Sequence, residues 1–496
     1  MQRRNHVNSI IQHYSKFLLL SMAAAMLAGA QTRLVGQEVK VYVSSQAGDR
    51  LAAKPALRFG STAAQGPVFT VNDAVKYQKM DGFGASLLEA GLMCINTLPA
   101  DKQEEVLRAL FDPEHGAGFS AMKTVIGATD FQSAGPFFTY DDTPGDVAMK
   151  HFSIARDLGP NGEITFIKRA RKYGKFVLQA PMDYPPDWML TNATDREKQD
   201  VNPKYYDALA HYYLLYLQQY AKNGVFIDYL SLFNEPSVYT KIPYNEIRDL
   251  LKDHVGPLLE KSGIKTRIQL SEAPSRENAS QNYHLALDDP QARKYVSGLA
   301  YHGYDWTKPD AFAKIAAIHA KYPQFPMWMT EVCHAYEIGE PRTMPMPLYN
   351  YDDGDLWGNM IMSDIEAGAS AWIYWNMVLN EKGGPWLVSP VHGNPDPNEQ
   401  HPVVIIDSRT HKVIYTGLYY YLAHFSKFVR PGDVRIQTTG KADKVRSMAF
   451  RAPDGKVVVQ LINSRKETVK AQVKWHGQTL PVSLPGISIS TLSWHE

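Results

Sequence analysis

Residues 227–237 read IDYLSLFNEPS. Ile227, Tyr229, Leu230, Leu232 and Phe233 give the apolar density of a short strand covered on both faces, as in a parallel sheet. The run then stops at an amide, a carboxylate and a proline: Asn234, Glu235, Pro236. Such an ending either turns the chain or holds an acid over a bound molecule, and the flanking sequence decides which. Upstream, residues 203–222 place apolar side chains at helical spacing, with Pro203 suited to a first turn and Asn202 to its cap. Downstream, residues 243–261 are again helical in pattern. The strand lies between two helices.

The same alternation recurs eight times. Strands are expected at 82–86, 121–127, 175–181, 227–234, 267–273, 298–304, 326–332 and 369–376. Helical patterns fall near 100–111, 163–173, 203–222, 243–261, 290–296, 308–321 and 356–367, with an eighth near 415–426 after a long loop. Eight strand–helix units predict a (β/α)8 TIM barrel over 81–426. A doubly wound sheet would carry a glycine-rich phosphate turn after an early strand; GFGAS lacks the G-x-G-x-x-G spacing. Residues 427–496 return to short strands (VRSMAF, KVVVQLIN, AQVKWH, SISTLSW) with a turn at Pro453-Asp-Gly455. With the strands expected in 31–80, EVKVYVSS and PVFTVN, they predict a side-associated β-sandwich that the chain leaves and rejoins.

Residues 1–30 stand apart. Arg3, Arg4 and Lys16 precede the apolar stretch 17–27, and Ala28-Gly29-Ala30 supplies small residues for cleavage, the pattern of a secretory signal peptide. The apolar core is too short to span a bilayer, which takes about 20 residues, so export without stable membrane insertion is expected, to the periplasm or the cell exterior. Removing the segment takes three basic residues and no acid from a chain of 52 Lys+Arg and 51 Asp+Glu, leaving a balance of about −2. Neither nucleic acid nor an anionic membrane is indicated as partner. Two cysteines, Cys94 and Cys333, are not a disulfide framework.

In a barrel of this kind chemistry sits at the C-terminal strand ends. There the sequence places Asp130 after strand two, Glu235 after four and Glu272 at the end of five. Strand six brings His302, Tyr304 and Asp305, strand seven Glu331, and strand eight Trp375 and Asn376. Two carboxylates from different strands are what glycoside cleavage needs: one protonates the leaving oxygen while the other stabilises an oxocarbenium-like centre. An asparagine beside the acid can bond the sugar 2-hydroxyl. Glu272 is the competing carboxylate and reads as a supporting or loop residue. Asp130 reads as an acceptor for a sugar hydroxyl or as a loop ion pair. H-x-H, H-E-x-x-H and G-x-S-x-G do not occur, so neither metal nor cofactor is expected.

DGFGASLLEAG (81–91), FFTYDDTPGD (137–146) with HFSI (151–154), SLFNEPS, WMTEVC (328–333), YWNMVLNEKGGPW (374–386) and GLYYYLAHFSKFVRPG (417–432) together resemble glycoside hydrolase family 30, in its glucosylceramidase-like branch. The resemblance covers most of 78–496, in order. It implies a retaining β-glycosidase with Glu235 as acid/base, Asn234 beside it and Glu331 as nucleophile. It places Asp130, Trp375 and Asn380 around the first sugar, puts Tyr304 near the nucleophile, and gives Cys333 a structural role; His302, at the mouth, is expected with them among the substrate-contacting residues. Three departures touch the sugar pocket. Lys123 stands where the pattern has arginine, Met182 or Asp183 where it has a sugar-facing tryptophan, and Gly303 where it has a tryptophan that Trp306 could replace. A β-glucoside, another β-glycoside (xyloside or fucoside) and β-1,6-glucan therefore stay open as substrates, beside non-catalytic carbohydrate binding. Oligomeric state stays open.

Overall fold

The computed structural model describes residues 37–61, 65–192, 200–236, 238, 240–334, 351, 353–386 and 399–496, apart from the side chains of Ser271 and Asp353. The expected signal peptide lies outside the described residues.

The chain enters through β1 (Glu38–Ser45), β2 (Ala52–Arg58) and β3 (Val68–Lys79). Eight parallel strands follow: β4 (Gly82–Ser86), β5 (Ala121–Lys123), β6 (Val177–Pro181), β7 (Tyr229–Ser231), β8 (Arg267–Ala273), β9 (Val296–His302), β10 (Met327–Glu331) and β11 (Ala369–Asn376). They close into a barrel in chain order, β11 pairing with β4. The (β/α)8 expectation is met. Strands expected at 121–127 and 227–234 are regular only over three residues each. Cross-strand bonding nevertheless continues past them, with Thr124 N–H donating to Gln179 O at 2.8 Å and Ile126 N–H to Pro181 O at 3.0 Å.

Period-two alternation sorts the barrel side chains. Leu178, Ala180, Leu230 and Leu232 point outward into the layer shared with the helices. Ala121, Tyr229, Trp328, Ala371 and Ile373, with Val177, fill the inside of the barrel as a separate apolar cluster. One step up each strand the inward residues turn polar: Lys123, Gln179, Ser231, Gln269 and Thr330, all buried. The floor of the mouth is thus set by the next inward position on each strand. The helix Tyr206–Lys222 begins after a 3₁₀ turn, Pro203–Tyr205, capped by the Asn202 side chain.

Beyond the barrel lies a small sheet the sequence pattern did not foretell: β12 (Val378–Asn380), β13 (Val404–Ile406) and β14 (Val413–Tyr415). The helix Gly417–Phe428 then leads to β15 (Val434–Thr439), β16 (Val445–Arg451), β17 (Lys456–Asn463), β18 (Val469–Trp475), β19 (Gln478–Leu484) and β20 (Ser488–His495). These join β1–β3 in one nine-stranded sheet, ordered β19-β18-β3-β15-β16-β17-β20-β1-β2. A bridge between Gly60 and Thr479 links its two ends, folding the sheet over a core that includes Phe69, Val459, Trp475 and Trp494. This is the β-sandwich.

Candidate active site

Asn234 and Glu235 follow β7, and the backbone there is pinned on both sides. Asn234 N–H donates to Met182 O at 2.8 Å and Glu235 N–H to Glu272 O at 2.9 Å. Glu235 itself adopts φ +42°, a left-handed conformation that an L side chain takes up only when its surroundings impose it, at a cost of roughly 1–3 kcal/mol. The proline then carries the chain away, and Val238 N–H closes a turn onto Glu235 O at 2.9 Å. The amide–acid–proline ending therefore points one carboxyl inward; Glu235 is buried.

Glu331 ends β10, where the pairing with β9 slips between Met329 and Glu331. Its Oε2 accepts from Lys123 Nζ at 2.8 Å and its Oε1 from Tyr304 Oη at 2.7 Å. Lys123 is fully buried and serves three acceptors, the others being Glu272 Oε2 at 2.9 Å and Asn234 Oδ1 at 3.1 Å. Its Nζ also lies 4.9 Å from the centre of the Trp375 ring. Burial alone would discharge the ammonium, but the charges of Glu272 and Glu331 outweigh it and hold the pKa above the usual lysine value.

His302 ties the two halves together. Nδ1 sits 2.8 Å from Glu235 Oε1 and 3.8 Å from Glu331 Oε1, and Nε2 sits 3.0 Å from Glu272 Oε2. Burial works against the imidazolium, yet the surrounding carboxylates prevail and raise its pKa to about 9. The ring therefore donates from both nitrogens. That corrects its expected place among the substrate-contacting residues: with both donors engaged by carboxylates, His302 positions Glu235. Glu272 also accepts from Thr330 Oγ1 at 3.0 Å and from Gln179 Nε2. Despite complete burial, Lys123 and His302 depress its pKa to about 2. Glu272 is a fixed counter-charge, a role its strand-end position alone did not separate from that of Glu235. Gln179 and Thr330 were missed; their inward register is the signal that finds them.

Glu235 differs. Burial, helped by the charge of Glu331, raises its pKa in spite of the His302 hydrogen bond. One ligand atom each from Glu235, His302 and Glu331 lies within 4.8 Å of the others. This trio has the composition of a metal site, but Lys123 Nζ already occupies Glu331 and the His302 ring already occupies Glu235 and Glu272.

Trp375 is buried beneath Lys123, whereas Asp130 is partly exposed. Asp130 acts electrostatically on Asp183 and on Cys333. The Oδ1 of Asn380 accepts from the backbone N–H of Lys382 and of Gly384, both at 3.0 Å, which holds the turn it sits on. At Gly303 an added Cβ would meet Val332 at 3.1 Å and Arg276 Nη2 at 3.3 Å. Trp306 instead stacks on His334, centroids 5.0 Å apart. Asp305 belongs to Arg276, 2.6 Å away, and Asn376 donates to Gln400. Both cysteines are free and buried.

Comparison with known proteins agrees with this architecture. Residues 80–429 match the family model of the glycosyl hydrolase family 30 TIM-barrel domain, and residues 432–492 that of the family 30 beta sandwich domain. The chain is 26% identical to the lysosomal acid glucosylceramidase of Mus musculus over 471 residues, 91% of this chain and 88% of the relative. It is likewise 26% identical to an endo-1,6-beta-D-glucanase of Neurospora crassa over 407 residues, 78% of this chain and 79% of the relative. The solved structure of an endo-beta1,6-glucanase superposes with a TM-score of 0.80 at 24% identity, covering 92% of this chain and 99% of that one, which speaks for the fold.

Proposed function

This chain belongs to glycosyl hydrolase family 30, and from that membership we propose that it cleaves β-glucosidic bonds with retention of anomeric configuration. Glu331 would be the nucleophile and Glu235 the acid/base. The observation that carries the reading is the unequal surroundings of two carboxyl groups that share one buried pocket. Glu331 accepts from Lys123 and Tyr304, which aims it as an anion at an anomeric carbon. Glu235, whose pKa burial raises, is the carboxyl suited to donate to the leaving oxygen. Once a glycosyl ester forms, the charge of Glu331 is gone, and with it one cause of the raised Glu235 pKa. Glu235 is then the stronger acid, so its carboxylate can take a proton from water. The close approach of the two groups, within 4.8 Å at their nearest ligand atoms, supports a retaining geometry of about 5–5.5 Å over an inverting one of about 6.5–9.5 Å.

Glucose as the glycone rests on the relatives, whose names carry glucosylceramide and β-1,6-glucan. The signal-like residues 1–30 support export, and among the described residues no helix is long and apolar enough to cross a membrane. The test is a panel of 4-nitrophenyl β-glycosides (glucoside, xyloside, fucoside) with β-1,6-glucan, product stereochemistry being followed by NMR. Turnover of a glucosyl substrate to the β-anomer is expected. Release of the α-anomer, or binding across the panel without turnover, would sink the retaining-enzyme reading; the latter outcome favours a carbohydrate-binding protein.

A further inference from the structure

Asp183 is an acid at the barrel mouth whose side chain is given nothing to do. It lies two residues beyond β6, in the parity of the inward row Val177, Gln179, Pro181, and is 1% exposed. Among the described residues neither of its carboxyl oxygens has a hydrogen-bond partner. Its carbonyl, by contrast, accepts from Thr240 Oγ1 at 3.3 Å, so the main chain is fixed while the side chain is left over. It feels the charges of Asp130, Lys123, Glu331 and Glu235, and its inward register carries it towards the same mouth. A buried carboxyl group without partners is costly, and packing alone gives no reason to keep one.

Resting on the retaining-glucosidase reading above, we propose that Asp183 determines glycone specificity: with Asp130, its carboxyl group hydrogen-bonds a ring hydroxyl remote from the anomeric carbon. Asn234, whose Oδ1 already accepts from Lys123, keeps its amide N–H₂ for the 2-hydroxyl beside Glu235. Asp183, on the β6 side next to Asp130, is left for the 3-, 4- or 6-position. Burial and the neighbouring acids favour the protonated carboxyl, which can donate as well as accept. A site built around a sugar hydroxyl rejects analogues that lack it far more strongly than an apolar wall can.

The test uses 4-nitrophenyl β-D-glucopyranoside and its 3-, 4- and 6-deoxy analogues with the full-length protein, Asp183→Leu and Asp183→Asn. Leucine is close in shape and needs no partner, so Asp183→Leu should melt at the same or a higher temperature. It should lose about 10–100-fold in kcat/KM on the parent glucoside, the range of a hydrogen bond to an ionisable group. On one deoxy analogue, already poor for the wild type, it should lose almost nothing. Asp183→Asn should stay within about tenfold of wild type. A lower melting temperature or misfolding of Asp183→Leu, an equal loss on all four substrates, or no loss at all would each overturn the assignment. Wild-type turnover of xyloside or fucoside but none of these glucosides would overturn the glycone and leave the two-glutamate reading standing. Inactivity of the wild type on every substrate would remove that reading itself.

Discussion

Lys123 is the residue on which the others depend. It joins Asn234, Glu272 and Glu331 from three different strands. Lys123→Met would leave two buried carboxylates without their shared ammonium, and stability should fall by about 3–5 kcal/mol while turnover falls at least about a hundredfold; thermal melts and single-turnover rates read both. The opposite shifts of His302 and Glu272 make a pH prediction. The native state binds the His302 proton more tightly than the unfolded chain, so this contribution is full below about 6.5 and is lost as pH rises through about 9. Glu272 is depressed, so its contribution is full above about 4.5 and is lost as pH falls towards about 2. Melting temperature should decline from about pH 6.5 to 9, and His302→Gln should flatten that decline. Catalysis gives a third expectation. Glu331→Ala should abolish turnover, whereas Glu235→Ala should keep activity on an activated aryl glycoside that azide partly restores. The alkaline limb of kcat/KM, lying above the ordinary carboxylate range because Glu235 is raised, should vanish in Glu235→Ala.

At the level of elements, strand identity was legible because each barrel strand is an apolar run between helical patterns. Strand length was not. β7 ends early where Glu235 turns left-handed and leaves regular pairing, and no local propensity encodes that. Close approach between strands was equally hidden. An added Cβ at Gly84 on β4 would lie 2.1 Å from Ala121 O and 2.7 Å from Met122 Sδ. Gly84→Ala must therefore spread β4 from β5, and a loss of about 1–3 kcal/mol is expected, seen as a lower denaturation midpoint. Below the site, Tyr213 of the helix Tyr206–Lys222 donates its hydroxyl to Leu232 O. That bond anchors the run ahead of Glu235 from the outside of the barrel.

Across the whole molecule, barrel and sandwich are packed as one body. Val457, Val459 and Leu461 of β17 enter the sandwich core, while Val458 and Ile462 join the barrel-side core. The helix Gly417–Phe428 lies against that seam, where His424 meets Thr491 Oγ1 at 2.6 Å and Ser44 Oγ at 3.0 Å. A single calorimetric transition is expected, and a chain cut after residue 429 should fail to fold cooperatively because Met448, Phe450, Val458 and Ile462 would no longer cover the barrel; two separated transitions would contradict this. The sequence by itself determined the eightfold alternation, the returning β tail and the two glutamates at strand ends, because hydrophobic period and strand-end position are local properties. Which carboxyl is acid, which is counter-charge and which stands without a partner was decided only by tertiary structure. Glu235, Glu272 and Asp183 are much alike along the chain. They differ in which cations and donors the closed barrel brings within a few ångströms of each.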